Sequence, residues 1–168
     1  GPHLEFSPAK PSATDPAATS SALAAAVAAL KAGAIVAVKG IGGYHLMCDA
    51  GNDAAVAELR RRKPRPAKPL AVMFPVDGKA LERCVRLDPG ARALLESPAR
   101  PIVLLPLCGN APLAPGIAPG LDEIGAFLPY SPLHHLLLTA FAGPLVATSG
   151  NLSGEPVLTD NAEAQSRL

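Results

Sequence analysis

Tryptophan is absent from this sequence, and aromatic residues make up only 4% of it. A core must therefore be built from Ala, Val, Leu and Ile, which is feasible because hydrophobic residues reach 49%. Charge of one sign is lacking as well: 15 basic residues stand against 14 acidic ones, for a net charge of +1. That balance argues against a general polyanion-binding protein but leaves room for a local basic site. The cysteines, Cys48, Cys84 and Cys108, are odd in number, far apart and free of any CxxC spacing. Neither a zinc site nor a disulfide framework is suggested, and free thiols fit a reducing, cytoplasmic setting. No apolar run approaches the ~18 residues of a membrane span, so no membrane partner is expected. No basic region followed by an apolar one opens the chain, so no signal peptide is read.

Proline is abundant instead, at 19 of 168 residues, against a typical share of about 5%. The prolines cluster at 64–75, 98–119 and 129–132, where they flank apolar runs and read as element boundaries. The length fits one domain. Residues 1–19 are read as a linker, most clearly over the small and polar stretch 7–19. The domain occupies 20–168. Ser20 or Ser21 can cap a helix through Lys31, with Gly33 just past its end. Ala34–Lys39 (AIVAVK) is predicted as a buried strand, followed by a glycine-rich turn at Gly40–Gly43. Asn52 or Asp53 opens a helix through Arg62. Strands are predicted at Pro69–Phe74, Pro101–Pro106, Glu123–Leu128 and Pro144–Thr148. Helices are predicted at 78–86, 89–96 and from Ser131–Pro132 to Phe141, with a last one opening at Thr159–Asp160. Residues 107–121 read as a long Pro/Gly loop. Alternating strands and helices indicate an α/β domain, and the adjacent strands at 101–106 and 123–128 indicate a mixed sheet.

Three segments offer chemistry. Arg60–Lys68 (RRRKPRPAK) concentrates six cations in nine residues. For Arg60, Arg61 and Arg62 a solvated helix end competes with function, since cations favour the last turn of a helix. Lys63 and Arg65 lie beyond that helix among stiffening prolines, where fixed cations can hold a phosphate at small ordering cost. RNA binding is disfavoured because no aromatics interleave with the charges. Thr148–Gly154 (TSGNLSG) follows a strand, where ligands of α/β sheets tend to sit; its hydroxyls, amide and glycines suit a phosphate or sugar, though a plain polar turn reads equally well. Lys39–His45 (KGIGGYH) also follows a strand, but it has neither the P-loop order nor a dinucleotide fingerprint. His134 and His135 are adjacent on a predicted helix and point in different directions, so a packing or surface role is expected. No Ser/His/Asp order or acid pair is identifiable.

Lys39–Ala50 (KGIGGYHLMCDA), Arg60–Met73 and Ile124–Leu137 (IGAFLPYSPLHHLL) together resemble the YrdC-like domain of the HypF carbamoyltransferases. Ser97–Leu105 and Thr148–Pro156 add to the match. The resemblance covers roughly residues 22–165, and its specificity lies in the combination of motifs. It implies a YrdC-like fold: a twisted mixed β-sheet with flanking helices and an open, concave basic face. The wider family carries Lys-x-Arg and Ser-x-Asn signatures, which fall here on Lys63 and Arg65 and on Ser149 and Asn151. The resemblance thus implies that these two segments converge on one adenylate. It makes Thr148, Lys39, Tyr44, Lys68 and Arg100 further candidates for the pocket wall.

The implied reaction is ATP-dependent formation of carbamoyl-adenylate and pyrophosphate. Mg²⁺ would arrive with ATP and no protein ligand to it is expected. The implied role is carbamoyl activation for cyanide-ligand maturation of nickel–iron hydrogenase, with carbamate or a carbamoyl phosphate-derived substrate and a HypE-like acceptor protein. Neighbouring acylphosphatase, zinc-finger and carbamoyl-transfer domains are implied too, so the chain is expected to be an excised domain; Gly1-Pro2-His3-Leu4 fits either a cloning remnant or the family's sequence after its last zinc-finger cysteine. Two alternatives stay open: a threonylcarbamoyl-adenylate synthase for tRNA modification, and a double-stranded RNA-binding module. Gly40–Gly43 and Phe127 replace polar positions of the tRNA-modifying branch, which favours the smaller carbamoyl substrate.

Overall fold

The computed structural model describes residues 3–8, 19–63, 68–151 and 154–168. Most of the expected linker, residues 9–18, lies outside that set. Six helices are described: α1 (Thr19–Lys31), α2 (Asp53–Arg62), α3 (Lys79–Cys84), α4 (Pro89–Glu96), α5 (Pro132–Phe141) and α6 (Asn161–Arg167). Six strands, β1 (Val36–Gly40), β2 (Gly43–Asp49), β3 (Val72–Met73), β4 (Val103–Pro106), β5 (Glu123–Phe127) and β6 (Leu145–Ser149), form one sheet in the order β1-β2-β6-β3-β5-β4. All its pairs are antiparallel except β3 with β5, so the sheet is mixed as expected.

Local chemistry sets where the helices begin. Asn52 accepts from Ala55 N–H at 3.0 Å, Asp88 from Ala91 N–H at 2.8 Å and Asp160 from Glu163 N–H at 2.9 Å. Ser131 does the same for His134 N–H at 3.3 Å. Each cap satisfies a first-turn donor that no helical carbonyl can reach. Pro89 and Pro132 follow two of the caps, at positions where a missing N–H costs nothing.

Alternation along the strands sends side chains into two cores. Leu145 and Ala147 join Met47, Met73 and Phe127 beneath α1 and α5, with Leu30, Leu137 and Leu138. Val146 joins Leu46, Cys48, Val72 and Ala126 beneath α2, α3 and α4, with Val56, Leu59, Leu81 and Leu95. Helices therefore cover both faces of the sheet.

Two elements differ from the expectation. Pro69–Phe74 contributes only the two-residue strand Val72–Met73, because Pro69 has no N–H and Leu70 donates instead to Ile117 O at 2.9 Å. The larger difference is β2, which the sequence pattern does not separate from the glycine turn. Gly40 and Gly43 pair at the tip of a β1–β2 hairpin, and β2 continues into a full ladder with β6. Its sequence, GYHLMCD, has no β-branched residue and no clean polar alternation, the two signals that mark a strand.

Gly43 is also where the C-terminal segment closes on the hairpin. Its φ is +130°, and a Cβ there would stand 2.7 Å from Val157 Cγ1 and 2.8 Å from Leu158 O. Gly42 has nothing within 4 Å. Gly43→Ala is therefore expected to lower stability by about 1–3 kcal/mol, and Gly42→Ala by less than about 1 kcal/mol; urea unfolding of both variants measures the difference, and equal losses would contradict the packing described.

Candidate functional site

Lys63 closes α2. Its N–H still donates to Leu59 O at 2.9 Å, while its φ of −104° and ψ of 95° turn the chain out of the helix. The side chain runs inward and is only 6% exposed. Its ammonium donates to the Ser149 carbonyl, to Ser149 Oγ at 3.1 Å and to Asn151 Oδ1 at 2.9 Å. Ser149 ends β6, and its hydroxyl donates to Asn151 Oδ1 at 2.7 Å. The Asn151 amide donates on to Glu155 O at 2.6 Å. Gly150 must be small: a Cβ there would lie 2.8 Å from Tyr44 Cβ and 2.9 Å from Tyr44 O, and its N–H donates to that carbonyl at 2.6 Å. Two segments 86 residues apart are thus joined at one buried cation.

The remaining candidates divide. Arg65 lies outside the described residues. Thr148 is buried beside Ser149, but strand alternation sends its side chain to the opposite face, with Leu46. Lys39 and Tyr44 are cross-strand partners in the hairpin and both reach Asn161 Oδ1, at 2.7 and 2.9 Å. They form a group of their own, linked to the Lys63 cluster through the Tyr44 carbonyl. Burial, with Asp160 nearby, raises the Tyr44 phenol above its ordinary range. Lys68 is exposed, and its carbonyl accepts from Arg60 at 3.2 Å. Arg100, at a φ of +45°, donates to Leu95 O at 3.3 Å. It precedes β4, whose start is level with the end of β5 and the start of β6, so the sheet places it at the end opposite Ser149.

The arginines of α2 have structural partners. Arg60 ties α2 to the 115–117 turn through Gly116 O and Ile117 O. Arg61 and Arg62 both bond exposed faces of Glu58, at 2.7 and 2.6 Å, pairs of the kind that add little stability.

Three more residues lie beside the cluster: His45, at the end of the weak Lys39–His45 segment, Tyr130, and His134, for which a packing or surface role is expected. His45 faces Ser149 across the β2–β6 ladder. Its Nε2 lies 3.2 Å from the Tyr130 hydroxyl, and its ring meets that of His134 edge-on at 5.8 Å. Because β2 was not legible, neither was this neighbourhood. His134 is fully buried, which matches a packing role, while the adjacent His135 is only partly covered. Burial, then the neighbouring His45 and His135, lowers the His134 pKa from 6.5 to about 4. Among the described residues no group of three or more His, Cys, Asp or Glu could hold a metal, and no helix is long and apolar enough to cross a membrane.

A mixed sheet sandwiched by helices, with a buried lysine held by a Ser-x-Asn turn, defines a class. Residues 28–168 match the Sua5/YciO/YrdC family, described as telomere recombination, and the chain belongs to that family. Within it the chain matches the YrdC-like region of the HypF carbamoyltransferases. It is 55% identical over 147 residues to carbamoyltransferase HypF of Rhodobacter capsulatus, covering 88% of this chain and 19% of that protein. The chain therefore spans about a fifth of the length of that relative. It is 35% identical over 151 residues to threonylcarbamoyl-AMP synthase of Stenotrophomonas maltophilia, covering 87% of this chain and 80% of that protein. A solved structure of full-length HypF in a phosphate- and nucleotide-bound form superposes with a TM-score of 0.83 at 45% identity, covering 95% of this chain and 20% of the other.

The buried His134 ties stability to pH. With a folded pKa below the unfolded one, the unfolded chain takes up the proton first on acidification. The stability contributed by neutral His134 is present above pH 6.5 and is lost as pH falls toward 4. A shift of this size corresponds to a loss on the order of 3 kcal/mol. His134→Gln is expected to flatten that part of the curve; urea midpoints across the range test this, and an unchanged slope in the variant would assign the effect elsewhere.

Proposed function

We propose that the domain binds ATP and a carbamate and forms carbamoyl-adenylate. The supporting observation is the buried Lys63 ammonium, whose described partners are a carbonyl, a hydroxyl and an amide. A buried ammonium held beside a hydroxyl and an amide at a strand end suits the binding of a phosphate oxygen. A carbamate oxygen would attack the α-phosphorus of ATP. The bond to the α–β bridging oxygen breaks, and pyrophosphate leaves with the electron pair. Lys63 stabilises charge on the phosphoryl oxygens, a contribution of fixed position and electrostatics. Ser149 and Asn151 would fix the α-phosphate or ribose as donors, the Ser149 hydroxyl by turning its proton away from Asn151 Oδ1. Mg²⁺ would arrive with ATP, carried by the nucleotide's own oxygens. Arg65, one residue past Pro64, is assigned to the same phosphates by the Lys-x-Arg signature. In a longer protein the adenylate would pass to a carbamoyl-transfer domain and then to a HypE-like acceptor, and such a protein would act in the cytoplasm.

The similarity to a threonylcarbamoyl-AMP synthase over 80% of its length supports a second reading with threonine as co-substrate. Against it, Phe127 is buried against Tyr130, with ring centroids 6.4 Å apart, where the tRNA-modifying branch carries an arginine. ATP–pyrophosphate exchange separates the readings. Exchange is expected to require a carbamoyl donor and to ignore threonine. Lys63→Ala is expected to reduce it by about 10²–10³-fold. Full exchange in that variant would remove Lys63 from the chemistry, and exchange that requires threonine would establish the second reading.

A further inference from the structure

The group formed by His45, Tyr130 and His134 adjoins the Lys63 cradle. His45 and Ser149 are directly opposed in the β2–β6 ladder, so their side chains leave the sheet on the same face as near neighbours. Burial, with the charge of Lys63 as a second cause, holds the His45 pKa below its ordinary value. Tyr130 is fixed on two sides: its ring meets the edge of His134 at 4.7 Å and stacks on Phe127 at 6.4 Å. It still keeps 36% of its surface exposed. A hydroxyl that is rigidly mounted and open to solvent is suited to recognising a ligand.

Proton positions decide which way that hydroxyl donates. His45 Nδ1 and His134 Nε2 are buried without a hydrogen-bond partner. A neutral imidazole carries one N–H and one lone pair, and an orphaned buried N–H is rarer than an unused acceptor. The network therefore assigns the His134 proton to Nδ1, donating to Ser131 Oγ at 2.9 Å, and the His45 proton to Nε2, donating to the Tyr130 oxygen at 3.2 Å. The phenol O–H is then left to point outward. Burial raises the Tyr130 pKa, so the donor keeps its proton near neutral pH.

We infer that Tyr130 is a specificity residue of this site, donating through its hydroxyl to the carbonyl oxygen of a carbamoyl group whose phosphate partner is held at Lys63. His45 and His134 are positioning residues that orient it. The inference rests on the carbamoyl-adenylate reading for the identity of the group. A planar carbamoyl oxygen fits a single neutral donor, and the apolar Phe127 beneath the ring leaves no charge there to pair an amino-acid carboxylate.

Binding of carbamoyl phosphate and of inorganic phosphate to the 168-residue chain isolates the carbamoyl half of the ligand. The wild-type chain is expected to bind carbamoyl phosphate about tenfold more tightly than phosphate, the worth of one well-placed hydrogen bond. Tyr130→Phe keeps the ring and its packing, and it is expected to abolish that preference while leaving phosphate affinity unchanged. Equal affinities in the wild type, or a preference that survives in Tyr130→Phe, overturns the assignment. Histidine side-chain ¹⁵N shifts give a second readout: His45 is expected as the Nε2–H tautomer, and an Nδ1–H signal overturns the direction of donation. Both measurements register binding alone. An intact carbamoyl preference without pyrophosphate exchange would sink the reaction and leave this subsite standing; the reverse result would sink the subsite and leave the reaction.

Discussion

Lys63, only 6% exposed, places its ammonium where the end of α2 meets the end of β6, and much of the surrounding structure follows from keeping it there. Removing a cation from water costs several kcal/mol unless other groups replace its hydration. Here the Ser149 carbonyl and hydroxyl and the Asn151 amide do so. Their positions depend in turn on Gly150, pressed against the backbone of Tyr44, and on the β2–β6 register that sets Tyr44 and His45 beside it. The early exit of α2 into extended backbone aims the lysine at this turn.

Replacing either side of that contact has unequal consequences. Removing Lys63 leaves neutral oxygens that water can satisfy. Removing Asn151 leaves a buried cation short of a partner, the costlier change. A phosphate satisfies the cation most fully, because it contributes charge as well as hydrogen bonds.

Much of the fold was legible because its boundaries are marked by chemistry that acts locally. Asn52, Asp88, Ser131 and Asp160 cap helices where a side-chain oxygen meets first-turn N–H groups, and prolines flank the strands. What was not legible depended on tertiary contact. GYHLMCD becomes a strand because β1 and β6 pair with both its edges, a circumstance no local pattern records. PLAVMF shortens to two ladder residues because Leu70 turns to Ile117. The same distinction runs through the site. Lys63, Ser149 and Asn151 could each be read as polar residues in suggestive places, and a family resemblance brought them together. Their convergence is a matter of sheet order. Arg100 was a candidate on the same grounds, yet strand direction carries it to the other end of the sheet. The pairing of His45 with Tyr130 leaves no local signal, because the first lies in the unexpected strand and the second is brought to it only by folding.

The central question is whether the Lys63 cradle holds nucleotide phosphate. Calorimetry with a non-hydrolysable ATP analogue, on the wild-type chain and on Lys63→Met, measures this without requiring turnover. Saturable binding is expected for the wild type and a loss of at least about tenfold for the variant. Equal affinity in the two proteins, with the variant's unfolding midpoint unchanged, would contradict that expectation.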